Sequence, residues 1–215
     1  VGSEMCIRDS VNVKLWFKQG GQGYVASGVL IDPLHVLTAG HCVHEGYGGN
    51  WSTDMVVSPG YDDDTDKPGF EDPGHPCGTA RGIGFLSWTG WTHDGNLNHD
   101  MGVIVLDRPI GFLAGWHGFG YSTSCPFYTS ENTWFNPGYP AEGPWFNGEH
   151  MYYWYGTFDS CPSAYLLQID RCAPLGMSGS GAYRIHDGKR YVHAVVSHRA
   201  DGSQDYPTCS WTRYT

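Results

Sequence analysis

No apolar run in this chain of 215 residues is long, and nearly every one ends at Gly, Pro, Asn or Asp. The runs are Val11 to Phe17, Tyr24 to Ile31, His35 to Thr38, Gly82 to Trp88, Met101 to Leu106, Tyr152 to Phe158, Tyr165 to Ile169, Gly181 to Ile185 and Tyr191 to Ser197. Short apolar segments separated by turn residues read as strands, and their even spacing predicts a sandwich or barrel. Gly occurs 31 times and Pro 13 times, while charged residues are only 16%. That composition excludes a helical bundle, whose helices keep Gly and Pro out of their interiors. The expected class is all-β, with one helical turn at Ala39 to Val43 and a tight hairpin at Asp187-Gly188, where both residues tolerate positive φ. There is no internal repeat.

With 12 basic and 22 acidic residues the net charge is −10, so a phosphate-rich partner such as nucleic acid or an anionic membrane is not expected. No run reaches the roughly 18 to 20 apolar residues that span a bilayer. Seven cysteines point to an oxidising compartment, hence to a secreted protein. Cys6 lies in VGSEMCIRDS, which has neither strand alternation nor a signal-peptide core. Residues 1–10 are therefore set aside as a non-native leader. Cys42, Cys77, Cys125, Cys161, Cys172 and Cys209 remain, and their connectivity is open.

Three segments carry chemistry. Thr38-Ala39-Gly40-His41-Cys42 follows two apolar runs and presents a histidine from a turn of small residues, as a general base requires. Asp100 opens the apolar run Met101 to Leu106 and sits where an acid ordinarily caps a strand. Gly176-Met177-Ser178-Gly179-Ser180-Gly181 flanks a serine with glycines that let backbone N–H groups converge on an oxyanion. The order is His, Asp, Ser.

These motifs, with Gly138-Tyr139-Pro140, resemble the chymotrypsin-like serine peptidases and, within them, the glutamyl-endopeptidase (V8-like) branch, over most of Val11 to Thr215. The resemblance implies a chymotrypsin-like fold of two perpendicular six-stranded β-barrels, residues 11–118 and 119–215, with the active site in the cleft between them. It implies His41, Asp100 and Ser178 as catalytic residues, and the N–H groups of Gly176 and Ser178 as the oxyanion hole. Ser180 is the wrong serine by this alignment. The implied protein is a secreted, monomeric serine endopeptidase acting on polypeptides, with no cofactor and no metal. An inactive homologue serving as a binding module is the alternative, and an esterase is disfavoured because its nucleophile elbow needs the order Ser, Asp, His.

Where related vertebrate enzymes carry a cysteine to pair with the one after the histidine, this chain has Ala26, so Cys42 is expected to pair with Cys77. Cys125, Cys161, Cys172 and Cys209 would form two more bonds, with Cys172–Cys209 and Cys161–Cys172 both attractive. The C-terminal helix usual in the family would follow Thr215. Aligning Ser197 as the serine that binds substrate backbone puts Val196 where glutamyl endopeptidases carry a histidine. Ala173, Pro174, Leu175 and Val196 then suggest an apolar pocket, with His198 and Arg199 on the strand that should pair with substrate. The expectation is cleavage after apolar or acidic residues, not basic ones. The acidic loop from Tyr61 to Gly74 reads as solvated, since its calcium-loop register fails at Lys67 and Pro73. The aromatic stretch from Trp134 to Phe158 is expected to pack the second barrel and line the cleft.

Overall fold

A computed structural model describes residues 10–63, 74–170, 173–199 and 209–213, the last of these by backbone alone. Its strands are β1 (Asn12–Gln19), β2 (Gln22–Leu30), β3 (His35–Thr38), β4 (Thr53–Pro59), β5 (Ala80–Ser87), β6 (Gly102–Leu106), β7 (Gly118–Phe119), β8 (Trp134–Gly138), β9 (Tyr152–Gly156), β10 (Leu166–Ile169), β11 (Gly181–His186), β12 (Lys189–Arg199) and β13 (Cys209–Arg213). The expected helical turn is α1 (Gly40–Val43), and three more helical turns and one 3₁₀ turn fill connections.

The first six strands close into a barrel in the order β1-β2-β3-β6-β5-β4. Its interior is apolar, with Val13, Leu15, Leu30, Val36, Val57 and Ile104 fully buried. The remaining strands form a seven-stranded sheet, β10-β13-β12-β11-β8-β9, with β7 added parallel to β12. The two-unit all-β architecture is the one expected; among the described residues the second unit's ladder runs from β10 to β9, and an isolated bridge, Ser160 to Gln168, begins the return between its ends. Asp187 (φ 50°) and Gly188 (φ 73°) make the predicted two-residue turn between β11 and β12.

The aromatic stretch does pack the second core. Trp134, Tyr128 and Phe158 are buried there, and Trp134 Nε1 donates to the Tyr128 carbonyl at 3.0 Å. A third apolar cluster, Val29, Leu37 and Met101 against Tyr183, Val192 and Val195, joins the two units face to face. Burying each such side chain contributes about 1.5 to 3 kcal/mol, so the cleft is bounded by packed surfaces.

The cysteines depart from expectation. Cys125 bonds Cys161, which ties the turn before β8 to the segment after β9. Cys42 is a free, buried thiol, so the expected Cys42–Cys77 bond is not formed. Both side chains sit in the first barrel's apolar core, where Cys42 packs as a small hydrophobe. Cys172, the side chain of Cys209, residues 1–9 and residues 64–73 of the acidic loop lie outside the described residues.

Candidate active site

The histidine is placed by β3 and by the lack of a side chain at Gly102. A Cβ there would lie 2.5 Å from Val43 Cγ2 and 3.0 Å from the Ala39 carbonyl, so only glycine lets α1 rest on the start of β6. This contact brings the turn carrying His41 onto Asp100, two residues before β6. Asp100 closes the 3₁₀ turn Leu97–His99 and is completely buried. One carboxylate oxygen accepts the His41 backbone N–H at 2.7 Å; the other meets His41 Nδ1 at 2.8 Å and also accepts the Ser197 hydroxyl. A second carboxylate near in sequence, Asp94, lies six residues before Asp100 and is exposed.

Burial alone would push the Asp100 carboxyl up, but the His41 imidazole, the Ser197 hydroxyl and the His41 N–H outweigh it and hold the group below its ordinary value. Burial likewise disfavours the His41 imidazolium, and the Asp100 carboxylate overcomes this to hold His41 above its ordinary 6.5. The pair is therefore set to share a proton with the charge on Asp100 and the proton on His41.

Ser178 lies on a loop with two left-handed glycines, Gly176 (φ 90°) and Gly179 (φ 79°). The loop is fastened to the first barrel through Ser27 on β2. Ser27 N donates to the Ser178 carbonyl at 2.9 Å, Ser27 Oγ donates to the Gly176 carbonyl at 2.8 Å, and the same hydroxyl accepts from Tyr139 N at 2.9 Å. A Cβ on Gly179 would lie 2.0 Å from Thr38 Oγ1 and 2.8 Å from Ala39 N. The serine loop therefore abuts the chain just before His41. Among the described residues neither Gly176 N nor Ser178 N donates to a backbone carbonyl, which leaves both N–H groups available to an oxyanion. Ser180, by contrast, is fully buried and exchanges hydrogen bonds with Asn136.

The residues expected to set specificity occupy different surroundings. Ala173 and Pro174 line an apolar cavity of about 220 Å³ with Phe146, Trp154, Ile169 and Met177. Val196 packs into the second core. Leu175 is exposed. Ser197 is directed to Asp100, and its oxygen lies 2.9 Å from His198 Nδ1. Arg199 is not presented freely to solvent: it pairs with Glu142, whose carboxylate also accepts Leu175 N at 2.9 Å. Ser27 and Glu142 are site residues that the sequence does not reveal, because each matters through a contact made more than thirty residues away. No group of three or more His, Cys, Asp or Glu among the described residues could hold a metal ion.

A model of the trypsin family matches residues 1–209. The chain is 34% identical over 98 residues to a glutamyl endopeptidase of Bacillus licheniformis, covering 46% of this chain and 28% of that protein. It is 31% identical over 117 residues to an extracellular metalloprotease of Bacillus subtilis, covering 54% of this chain and 34% of that one. The matches thus span about a third or less of these relatives' lengths. Among solved structures, the protease Anisep from Arthrobacter nicotinovorans superposes with a TM-score of 0.77 at 25% identity, over 95% of this chain and 90% of the other.

Proposed function

Because this chain belongs to the trypsin family, we propose that it is a secreted serine endopeptidase in which Ser178, His41 and Asp100 form the catalytic triad. The observation that carries this reading is the 2.8 Å contact between His41 Nδ1 and the fully buried Asp100 carboxylate. With Nδ1–H committed to Asp100, the other ring nitrogen, Nε2, is the free base. It takes the Ser178 proton as Oγ attacks the scissile carbonyl, then passes it to the leaving amine, while Asp100 stabilises the imidazolium between the two steps. The N–H groups of Gly176 and Ser178 receive the developing oxyanion, and one such donor typically contributes about 3 to 4 kcal/mol to the rate. Water repeats the sequence to release the acyl group.

Cleavage after apolar or acidic residues fits the site better than cleavage after basic ones. Ala173 and Pro174 present apolar surface, and Arg199 is joined to Leu175, beside the serine loop, through Glu142. A peptide library varied at the residue before the scissile bond, read by mass spectrometry, tests this; dominant cleavage after Lys or Arg overturns it.

The nucleophile is tested by labelling with a fluorophosphonate. Ser178→Ala is expected to lose labelling and activity, and Ser180→Ala to keep most of both; the reverse pattern refutes the assignment. Asp100→Asn should keep the fold and reduce kcat by about 10⁴, the figure known for this substitution in a related enzyme, because the amide holds the wrong imidazole tautomer. A larger loss in Asp94→Asn would transfer the role to Asp94.

A further inference from the structure

The Asp100 carboxylate is approached by a second imidazole, one the triad does not use. Ser197 Oγ donates to Asp100, and the same oxygen lies 2.9 Å from His198 Nδ1. A hydroxyl has one hydrogen, and an ionised carboxylate can only accept. The Ser197 hydrogen is therefore committed to Asp100, and its oxygen must accept from His198. Hydrogen-bond bookkeeping assigns the proton of neutral His198 to Nδ1 and leaves Nε2 as a lone pair. One carboxylate thus orders two histidines, His41 directly and His198 through a hydroxyl.

Resting on the triad reading above, we propose that His198 is a positioning residue: its Nδ1–H holds the Ser197 hydroxyl on Asp100 and so tunes the carboxylate that orients His41. Without that donor the Ser197 hydroxyl is free to rotate away from Asp100. The carboxylate then loses part of its stabilisation, becomes more basic and favours the His41 imidazolium more strongly. The acidic limb of activity, where His41 must be neutral, moves to higher pH.

The surroundings of His198 are consistent with this role. The imidazole is half-buried, and burial lowers its pKa most; Asp100 raises it and His41 lowers it. Arg199, the next residue, is taken up by Glu142, and across the ladder His198 faces Ser210 of β13. Burial thus favours the neutral form of His198, which acts through its hydrogen bond.

Two substitutions separate this role from simple packing. His198→Phe keeps a ring and removes the donor, whereas His198→Asn places an amide Nδ2 where Nδ1 was. The acidic limb of kcat/KM in His198→Phe is expected to rise by about half a pH unit, a fraction of one hydrogen bond, with kcat/KM lowered severalfold. His198→Asn should restore the wild-type limb. The His41 ring resonances, followed by NMR through a pH titration, should show the same upward shift in His198→Phe and its reversal in His198→Asn, and they report even if turnover is absent. Equal limbs and equal His41 titrations in both variants and wild type overturn the proposal, as does an equal shift in both variants. Failure of wild-type protein to label with a fluorophosphonate overturns the triad reading instead.

Discussion

His193 is the clearest example of a residue whose chemistry comes from its surroundings alone. It is buried among the rings of Phe127, Tyr128 and Trp134, at centroid distances of 5.4, 6.1 and 5.1 Å. Its Nδ1 has no hydrogen-bond partner among the described residues. Burial, with Arg184 adding repulsion, pushes its pKa down to about 4. The unfolded chain binds a proton near 6.5 and the folded one near 4, so stability is complete above 6.5 and is lost as pH falls between the two values. From pH 7 to pH 5 the loss is about 2 kcal/mol. His117, pushed to about 3 by burial and Arg190, acts in the same direction at lower pH. Denaturant unfolding of wild type and His193→Leu at both pH values checks this: the variant should lose about 2 kcal/mol less on acidification. An unchanged difference would show that His193 does not contribute. At this scale sequence was informative where chemistry is local. His41 and Ser178 sit in strings whose neighbours declare them, and the His41–Asp100 contact follows from two such strings. Ser27, Glu142 and His193 have no local marker, since their roles come from partners that only folding brings near.

Strand β12 shows how one element distributes its side chains among different tasks. Ala194 and Val196 face the second core, Val192 and Val195 face the junction between the two units, Ser197 reaches Asp100, and Arg199 reaches Glu142. The strand was legible as a short apolar run, as were β3 and the β11–β12 turn, because an apolar run bounded by turn residues and an Asp-Gly pair are strong local signals. Strand β4 was not, because Thr53–Pro59 is mostly polar at its start and is held in register by β1 and β5. Strand β8 was hidden in the aromatic stretch, because it ends in Pro137 and Gly138, residue types that weaken a strand signal although both are buried in the strand. The end of β12 also carries a prediction. Glu142 supplies Arg199 with a carboxylate from within the protein, so an acidic substrate side chain must displace it. Glu142→Gln keeps an oxygen for Leu175 N and removes the competing charge. Cleavage after acidic residues, relative to apolar ones, should rise about fivefold, corresponding to about 1 kcal/mol for one partly exposed pair. Arg199→Gln should lower it and leave apolar cleavage unchanged. Library profiles of the two variants test this, and parallel changes in both would mean that the ion pair only braces the loop.

At the scale of the whole molecule, the proposed active site depends on how two separately packed units meet. The apolar junction fixes their approach, but the polar seam at Ser27 fixes the serine loop against the strand that leads to His41. Its hydroxyl satisfies the Gly176 carbonyl and Tyr139 N at once, and its backbone N–H holds the Ser178 carbonyl. Gly179 completes the seam, with a positive φ and no room for a Cβ against Thr38 Oγ1 and the Ser27 carbonyl. Ser27→Ala leaves the backbone bond in place but strands two buried polar groups, at about 1 to 3 kcal/mol each. Because one of them is the carbonyl of Gly176, whose N–H is assigned to the oxyanion, the substitution should also tilt that donor. We expect Ser27→Ala to lower unfolding stability by about 2 to 6 kcal/mol. It should also reduce kcat more than KM changes, at a temperature where near-ultraviolet circular dichroism shows the variant fully folded. Gly179→Ala meets backbone and strain together and should fail to give folded protein. If Ser27→Ala lost stability yet turned over substrate at the wild-type rate, the seam would be a structural joint with no hold on the oxyanion site. A lowered kcat in a fully folded variant would instead show that the geometry of the serine loop is set from the first barrel.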